Sequence, residues 1–280
     1  MANTLSKYVG QSTDLDKLLV ASATAGILTT DGIEMAGLDS FKIPKMELSG
    51  LGNYSKETGF SNGNIKFEFE TKKKNYERSQ SFELDAVEDY ETFGVISGQI
   101  LNEFIRTKVA PETDAFTYAT LAQKTGITTV EEDYATGVEV LEALRVATVE
   151  MDNAAVDMND RILFITPNNL SAAQLVDTYK SKGIMDRFAS VVTVTPSVFK
   201  DKISLDTVGF SFPEGTKDIN FMVVSKSAVI KKDTHMALRV WDANENQDKD
   251  AIKIQYRLNG IVETYDNKLK GIYVSKALAE

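Results

Sequence analysis

Cysteine is absent from the 280 residues, and histidine occurs once, at His235. Without thiols there are no disulfides, thiolate nucleophiles, thiolate zinc sites or iron–sulfur clusters. One imidazole excludes multi-histidine metal sites. Long apolar runs are missing too: no stretch of about 18 apolar residues occurs, so nothing reads as a membrane-spanning helix. The start, Met1 to Tyr8, lacks the basic-then-apolar layout of a secretory signal, which predicts a product that is cytosolic when made. Bases are outnumbered, 31 against 41 acids, for a formal net charge of −10. Such a surface repels phosphate backbones, so sequence-independent nucleic-acid binding is not the expected main function. What remains is ordinary globular material, with 42% apolar and 26% charged residues. A chain of this length can bury about three quarters of its unfolded surface without staples.

The first third differs from the rest. Eight of the 17 glycines precede residue 65, and apolar periodicity is poor from Gly26 to Gly63. A long loose stretch is unusual in a compact monomer and fits residues that pack on something else. Alternation then begins: Ile65, Phe67 and Phe69 point one way and Lys66, Glu68 and Glu70 the other, as in a half-exposed strand. Lys72 to Asn75 reads as a polar turn and Tyr76 to Leu84 as the returning strand. Residues 41–84 are therefore expected to form a two-stranded projecting ribbon. A lone ribbon is marginally stable in water, so a partner is expected beneath it.

Asp85 with Glu88 resembles a capping box, and Phe93, Ile96, Ile100 and Phe104 recur at helical spacing. This predicts a helix from Ala86 to Lys108. Pro111 then either kinks it or opens a second helix that stops near Gly126. Thr129 with Glu132 reads as a second capping box, before a helix whose Val140, Leu144, Ala147 and Met151 share a face. Arg161 to Thr166 is a buried strand, Asn168 caps a helix ending before Gly183, and Val191 to Thr195 is the next strand. From Phe221 onward the pattern is β-rich, in six short segments.

Motifs for chemistry fail in turn. Gly50-Leu51-Gly52 starts like a dinucleotide fingerprint, but Ser55 stands where the third glycine belongs and no helix follows. Phosphate-binding loops, nucleophile elbows and paired zinc-binding histidines have no match. Asp242, Asn244, Asn246, Asp248 and Asp250 alternate like a calcium loop, yet Gln247 replaces the turn glycine and Lys253 the closing glutamate. A solvated acidic turn between two strands is the better reading. His235 lies at a polar strand start with no triad signature, and Trp241 at a strand end reads as core or interface. No catalytic, cofactor-binding or metal-binding residue is assigned, and the chain is not expected to be an enzyme. The basic cluster Lys72, Lys73, Lys74 and Arg78 is expected to meet carboxylates of another subunit, with Glu88, Asp89 and Glu91 as candidates.

The order of elements resembles the major capsid proteins of tailed bacteriophages, the Hong Kong-type capsid fold. Three stretches carry the resemblance. The first is Tyr76-Glu-Arg-Ser-Gln-Ser-Phe-Glu-Leu-Asp85, running into the long helix with Arg106 to Ala115. The second is Arg161-Ile-Leu-Phe-Ile-Thr-Pro167, followed by a helix. The third is Asp250 to Arg257, leading to Tyr265-Asp-Asn-Lys-Leu-Lys-Gly-Ile-Tyr-Val274. The resemblance implies an α+β subunit with an N-terminal arm (1–40), an extended E-loop ribbon (41–84), a P-domain with a long spine helix (85–128 and 226–280) and an A-domain (129–225).

It also implies a structural role. Copies of the chain would form pentamers and hexamers that close into an icosahedral head around double-stranded DNA, with a separate scaffolding protein and a portal. The DNA would be enclosed without specific binding, and the location would be the virion capsid, assembled in the bacterial cytoplasm. No cofactor, membrane contact or covalent cross-link is expected. An encapsulin-like compartment shell, a soluble enzyme using carboxylate chemistry, and a tail or other virion protein are the alternatives.

Overall fold

The computed structural model describes residues 23–30, 40–57, 59–87, 102–246 and 248–278. Strands β1 (Ser40–Leu48), β2 (Ile65–Lys73) and β3 (Tyr76–Asp85) come first, then helix α1 (Ala110–Ala122) and strand β4 (Thr128–Glu131). Helix α2 (Gly137–Asn153), strand β5 (Arg161–Ile165), helices α3 (Pro167–Val176) and α4 (Thr178–Met185) and strand β6 (Ser190–Thr193) follow. The chain closes with β7 (Ser204–Leu205), β8 (Phe210–Ser211), β9 (Ile219–Ser225), β10 (Val229–Trp241), β11 (Ala251–Thr264) and β12 (Ile272–Lys276).

The apolar runs of β5, β9 and β12 form the middle of a five-stranded sheet ordered β4–β12–β9–β5–β6. Alternation puts Leu163, Ile165, Phe221, Val223 and Tyr273 in one core with Val140, Leu144, Ala147 and Met151 of α2. Ile162, Phe164, Met222, Val224 and Val274 enter a second core with Phe116, Tyr118 and Leu121 of α1. Cover on both faces is why these strands read as continuous apolar runs. The second core also takes Tyr256, Leu258 and Val262 of β11, so α1 lies between the large sheet and the three-stranded sheet β10–β11–β3. Strand β12 thus belongs to the sheet of residues 128–225, although it falls in the expected 226–280 segment.

Several local expectations are corrected. Residues 102–104 are helical, Ile105–Val109 form a π turn, and α1 follows without a break, with Pro111 in its first turn as the second of the two expectations has it. The wider turn accommodates a residue that has no N–H to give. Of the predicted 86–108 helix, residues 88–101 lie outside the described residues. The capping box is Thr136 with Glu139, not Thr129 with Glu132: Glu139 N–H donates to Thr136 Oγ1, and Thr136 N–H to Glu139 Oε2 at 3.2 Å. Thr129 instead sits in β4, parallel to β12. Gly137 at the first turn of α2 lies so close to α3 that a Cβ there would meet the Ala172 carbonyl oxygen. The helix after β5 has Thr166, not Asn168, at its N-cap position and breaks at Asp177. That carboxylate accepts from the N–H groups of Tyr179 (2.9 Å) and Lys180 (3.2 Å), so α4 starts anew and runs past Gly183. Four of the six late segments merge into two long strands, β10 and β11, with a bulge between Asp233 and His235.

The largest correction concerns the ribbon. Strand β2 pairs antiparallel with β1, from Ser40↔Lys73 to Leu48↔Ile65, and not with β3. Strand β3 leaves across residues 74–75 to pair with β11. Asn75 directs the change: its side chain donates to the Val262 carbonyl (2.7 Å) and accepts from the Val262 N–H (3.0 Å). Tyr76 follows into the core against Phe116, with its hydroxyl on Glu112.

Candidate assembly surface

The β1–β2 ribbon has two unlike faces. Directly paired residues share a face, so Met46 and Leu48 lie with Phe67 and Ile65, and Phe69 lies two residues beyond Phe67. The rings of Phe67 and Phe69 meet edge to face at 5.1 Å. These five side chains are between 56% and 69% exposed. At the tip, Tyr54 and Phe60 pack on each other, and Leu51 and Phe60 stand in solvent. Apolar side chains scattered singly on a surface are normal, whereas a contiguous apolar face marks an interaction site.

The opposite face explains how the ribbon is held. At its root Phe41 and Ile43 are buried against Ile230, Ile261 and Tyr265. Lys72 reaches Asp266 at 2.7 Å and also pairs with Glu70. Burial opposes the charge on Lys72, but its hydrogen bonds to Asp266 and Glu70 outweigh that and hold its pKa above the usual lysine value. The same contact holds the Asp266 carboxyl below its usual range. Further out the face turns charged, with ion pairs Lys45–Glu47 and Lys66–Glu68. Exposed pairs of this kind contribute about 0–1 kcal/mol. The ribbon is anchored at one end and has an uncovered apolar face along the rest.

The predicted contact residues divide. Arg78 is used inside the subunit: its guanidinium binds Glu112 (2.6 Å) and the carbonyls of Asp206 and Gly209 (2.7 Å each), tying β3 to α1 and to the β7–β8 turn. Lys72 is likewise committed within the chain. Lys73 is exposed at the end of β2, and Lys74 is half-buried near Glu77. Glu88, Asp89 and Glu91 lie outside the described residues. What sequence reasoning missed is that the apolar side of β2 continues onto Met46 and Leu48, since no periodicity in 40–48 had suggested a strand.

Other candidates for chemistry are placed as follows. His235 is exposed on the edge strand β10, as read from the sequence, and Trp241 ends that strand half-buried. The acidic stretch 242–250 connects β10 and β11, and among the described residues no cluster of three or more metal-ligating side chains occurs. A cavity of about 370 Å³ lies between β3, the helix and the β7–β8 turn, lined by Phe82, Phe104, Val109 and Tyr256. Of its charged groups, Arg78 and Glu112 face each other as an ion pair, and Lys108 is the third.

No family model matches the chain, and no curated protein matches it in sequence. Solved structures do. The capsid structure of cyanophage P-SCSP1u matches with a TM-score of 0.67 at 14% identity, over 99% of this chain and 93% of that one. The chain has the fold of phage capsid proteins. The mature capsid of bacteriophage PhiM1 agrees, with a TM-score of 0.63 at 12% identity over 98% and 92%. A virus-like particle from Pyrococcus furiosus also matches, at 0.56 and 10% identity over 87% and 89%.

Proposed function

We propose that this chain is the structural subunit of a bacteriophage head, forming pentamers and hexamers that close around double-stranded DNA. The uncovered apolar face of a rooted ribbon, on a chain with the capsid fold, carries the reading. Burying five such side chains on a neighbour gives on the order of 10 kcal/mol gross. Association costs about 4–15 kcal/mol. One ribbon contact therefore comes out near balance, and stability comes from many contacts closing together, as a shell requires. The net charge of −10 suits a wall that encloses DNA without gripping it.

On this reading residues 1–40 are the arm, 41–84 the E-loop with β1 and β2 as its ribbon, 85–128 and 226–280 the P-domain, and 129–225 the A-domain. Lys73 and Lys74 remain candidates for the neighbour's acids. A separate scaffold and portal complete the assembly, in the cytoplasm of a bacterial host. The role is structural and not catalytic. A cargo compartment is the second reading and is less favoured, because the virus-like particle matches with a lower TM-score over less of the chain than the cyanophage capsid.

The test is negative-stain electron microscopy with sedimentation velocity on the soluble protein, co-expressed with the genes flanking its own. Uniform closed shells are expected. A monomer under those conditions overturns the reading.

A further inference from the structure

The outward face of the three-stranded sheet carries a basic depression on an acidic chain. Across the strands, Ala237 pairs with Arg257, which pairs with Ser79, and Arg239 pairs with Gln255, which pairs with Ser81. Because successive residues alternate faces, these six share one side, with His235 on the same side one row further along. The small residues Ala237, Ser79 and Ser81 leave a hollow of about 340 Å³, with His235, Arg239, Gln255 and Arg257 around it. Arg257 already holds Glu77, whereas Arg239 is exposed and has no ion pair among the described residues.

The same hairpin ends in the opposite charge. Beyond the last paired row, Trp241↔Lys253, the nine-residue connection 242–250 contains Asp242, Glu245, Asp248 and Asp250 against one base, Lys249. All four acids are exposed. Lys249 is turned back onto Glu83, so it does not neutralise them. Among the described residues, the Asp248 carboxylate has one ion pair, a long contact of 3.6 Å to Lys253.

We propose that the basic depression receives the acidic β10–β11 connection of a second copy of this chain. The inference rests on the shell reading and names one contact within it. Two different patches meet, so the contact is head-to-tail and can propagate from copy to copy until a ring or shell closes. The hollow accommodates one or two carboxylate side chains, which Arg239 and Arg257 would hold as charge-assisted pairs. Because the site is open to water, its contribution is to register and partner direction more than to affinity. A nucleic-acid track fits less well: beyond the hollow a continuous phosphate backbone would run over a chain of net charge −10, whereas a short acidic connection reaches only into it.

The absence of native cysteine gives a clean test. Ala237→Cys and Asn244→Cys are purified separately, mixed, assembled under wild-type conditions and oxidised. A disulfide-linked dimer in the mixture, and in neither variant alone, is expected. In parallel, Arg239→Glu lowers shell yield about tenfold, and adding Glu245→Lys to the same chain restores it. Arg239 is exposed, so circular dichroism of the variant should match wild type. Shells that form normally from Arg239→Glu, with no mixed disulfide, overturn this contact and leave the shell reading intact. Binding of a DNA oligonucleotide that Arg239→Glu abolishes without changing assembly also overturns it. No shells from wild type under any co-expression overturns both.

Discussion

Replacing Asp114 with alanine is predicted to release a strap that the amino-terminal part of the chain lays across the core. Asp114 is 4% exposed on α1. One carboxylate oxygen accepts from Thr24 N–H (2.6 Å) and Thr24 Oγ1 (2.8 Å), and the other from Ala25 N–H (3.0 Å). Thr24 Oγ1 also lies 2.7 Å from the Tyr118 hydroxyl. Behind this clip Ala25 and Leu28 are fully buried, and Thr30 N–H donates to the Lys231 carbonyl at 2.8 Å. Hydrogen bonds to a charged group contribute about 1.5–3 kcal/mol each. Burying a leucine gives about 1.5–3 kcal/mol. Removing the carboxylate leaves two backbone donors without their acceptor, a loss larger than Leu28 repays. The strap then detaches instead of staying docked and unsatisfied, which caps the cost at its own docking energy. Asp114→Ala is therefore expected to lose about 2–4 kcal/mol. Hydrogen exchange with mass spectrometry on the peptide spanning residues 23–30 is the assay, beside a urea melt. Exchange rises toward the rate of an unstructured chain while the peptides of β5 and β9 stay protected. Retained protection in 23–30, with stability within about 0.5 kcal/mol of wild type, would refute the reasoning.

Three further outcomes follow from single contacts. Arg161 is 1% exposed; its guanidinium binds the carbonyls of Thr148 and Val156 at the end of α2 and pairs with Asp152 at 2.8 Å. Arg161→Met removes both hydrogen bonds and the ion pair to Asp152 and costs about 2–3 kcal/mol, seen as a drop in Tm. Asn75→Ala removes both hydrogen bonds to Val262 and costs about 1–2 kcal/mol in a urea melt, with exchange rising first at the start of β3. The Lys72 contact depresses Asp266 below its ordinary value of 3.8, so its stabilisation is complete above that pH and is lost as pH falls through the lower folded value. The group is half-exposed, so Asp266→Asn loses under about 1 kcal/mol at neutral pH and matches wild type in strong acid; an unchanged gap in acid would exclude the pairing.

Features set by local pattern were legible in the sequence. The buried face of α2 was given by Val140, Leu144, Ala147 and Met151, and β5, β9 and β12 by short apolar runs. The exposed apolar side of β2 was visible in Ile65, Phe67 and Phe69. What failed depended on distant partners. Thr129 and Glu132 satisfy the capping pattern as well as Thr136 and Glu139 do, and only pairing of β4 with β12 decides between them. Lys72 to Asn75 has turn composition, but Asn75 binds Val262, 187 residues away, and carries β3 into another sheet. The clip between Thr24 and Asp114 spans 90 residues and leaves no periodic trace. For the assembly surface, the apolar half on β2 was readable. The matching half on β1 was hidden by Lys42, Lys45 and Glu47 interleaved with Met46 and Leu48.

The central claim is that the apolar ribbon face is covered by a neighbouring copy in a closed shell. Sedimentation velocity of wild type beside Phe67→Asp, each co-expressed with the flanking genes, tests it most directly. Phe67 is already exposed in the subunit, so the substitution leaves the fold intact. The account predicts a single large species for wild type and a folded, small species for Phe67→Asp. Shells from both proteins in equal yield would contradict it.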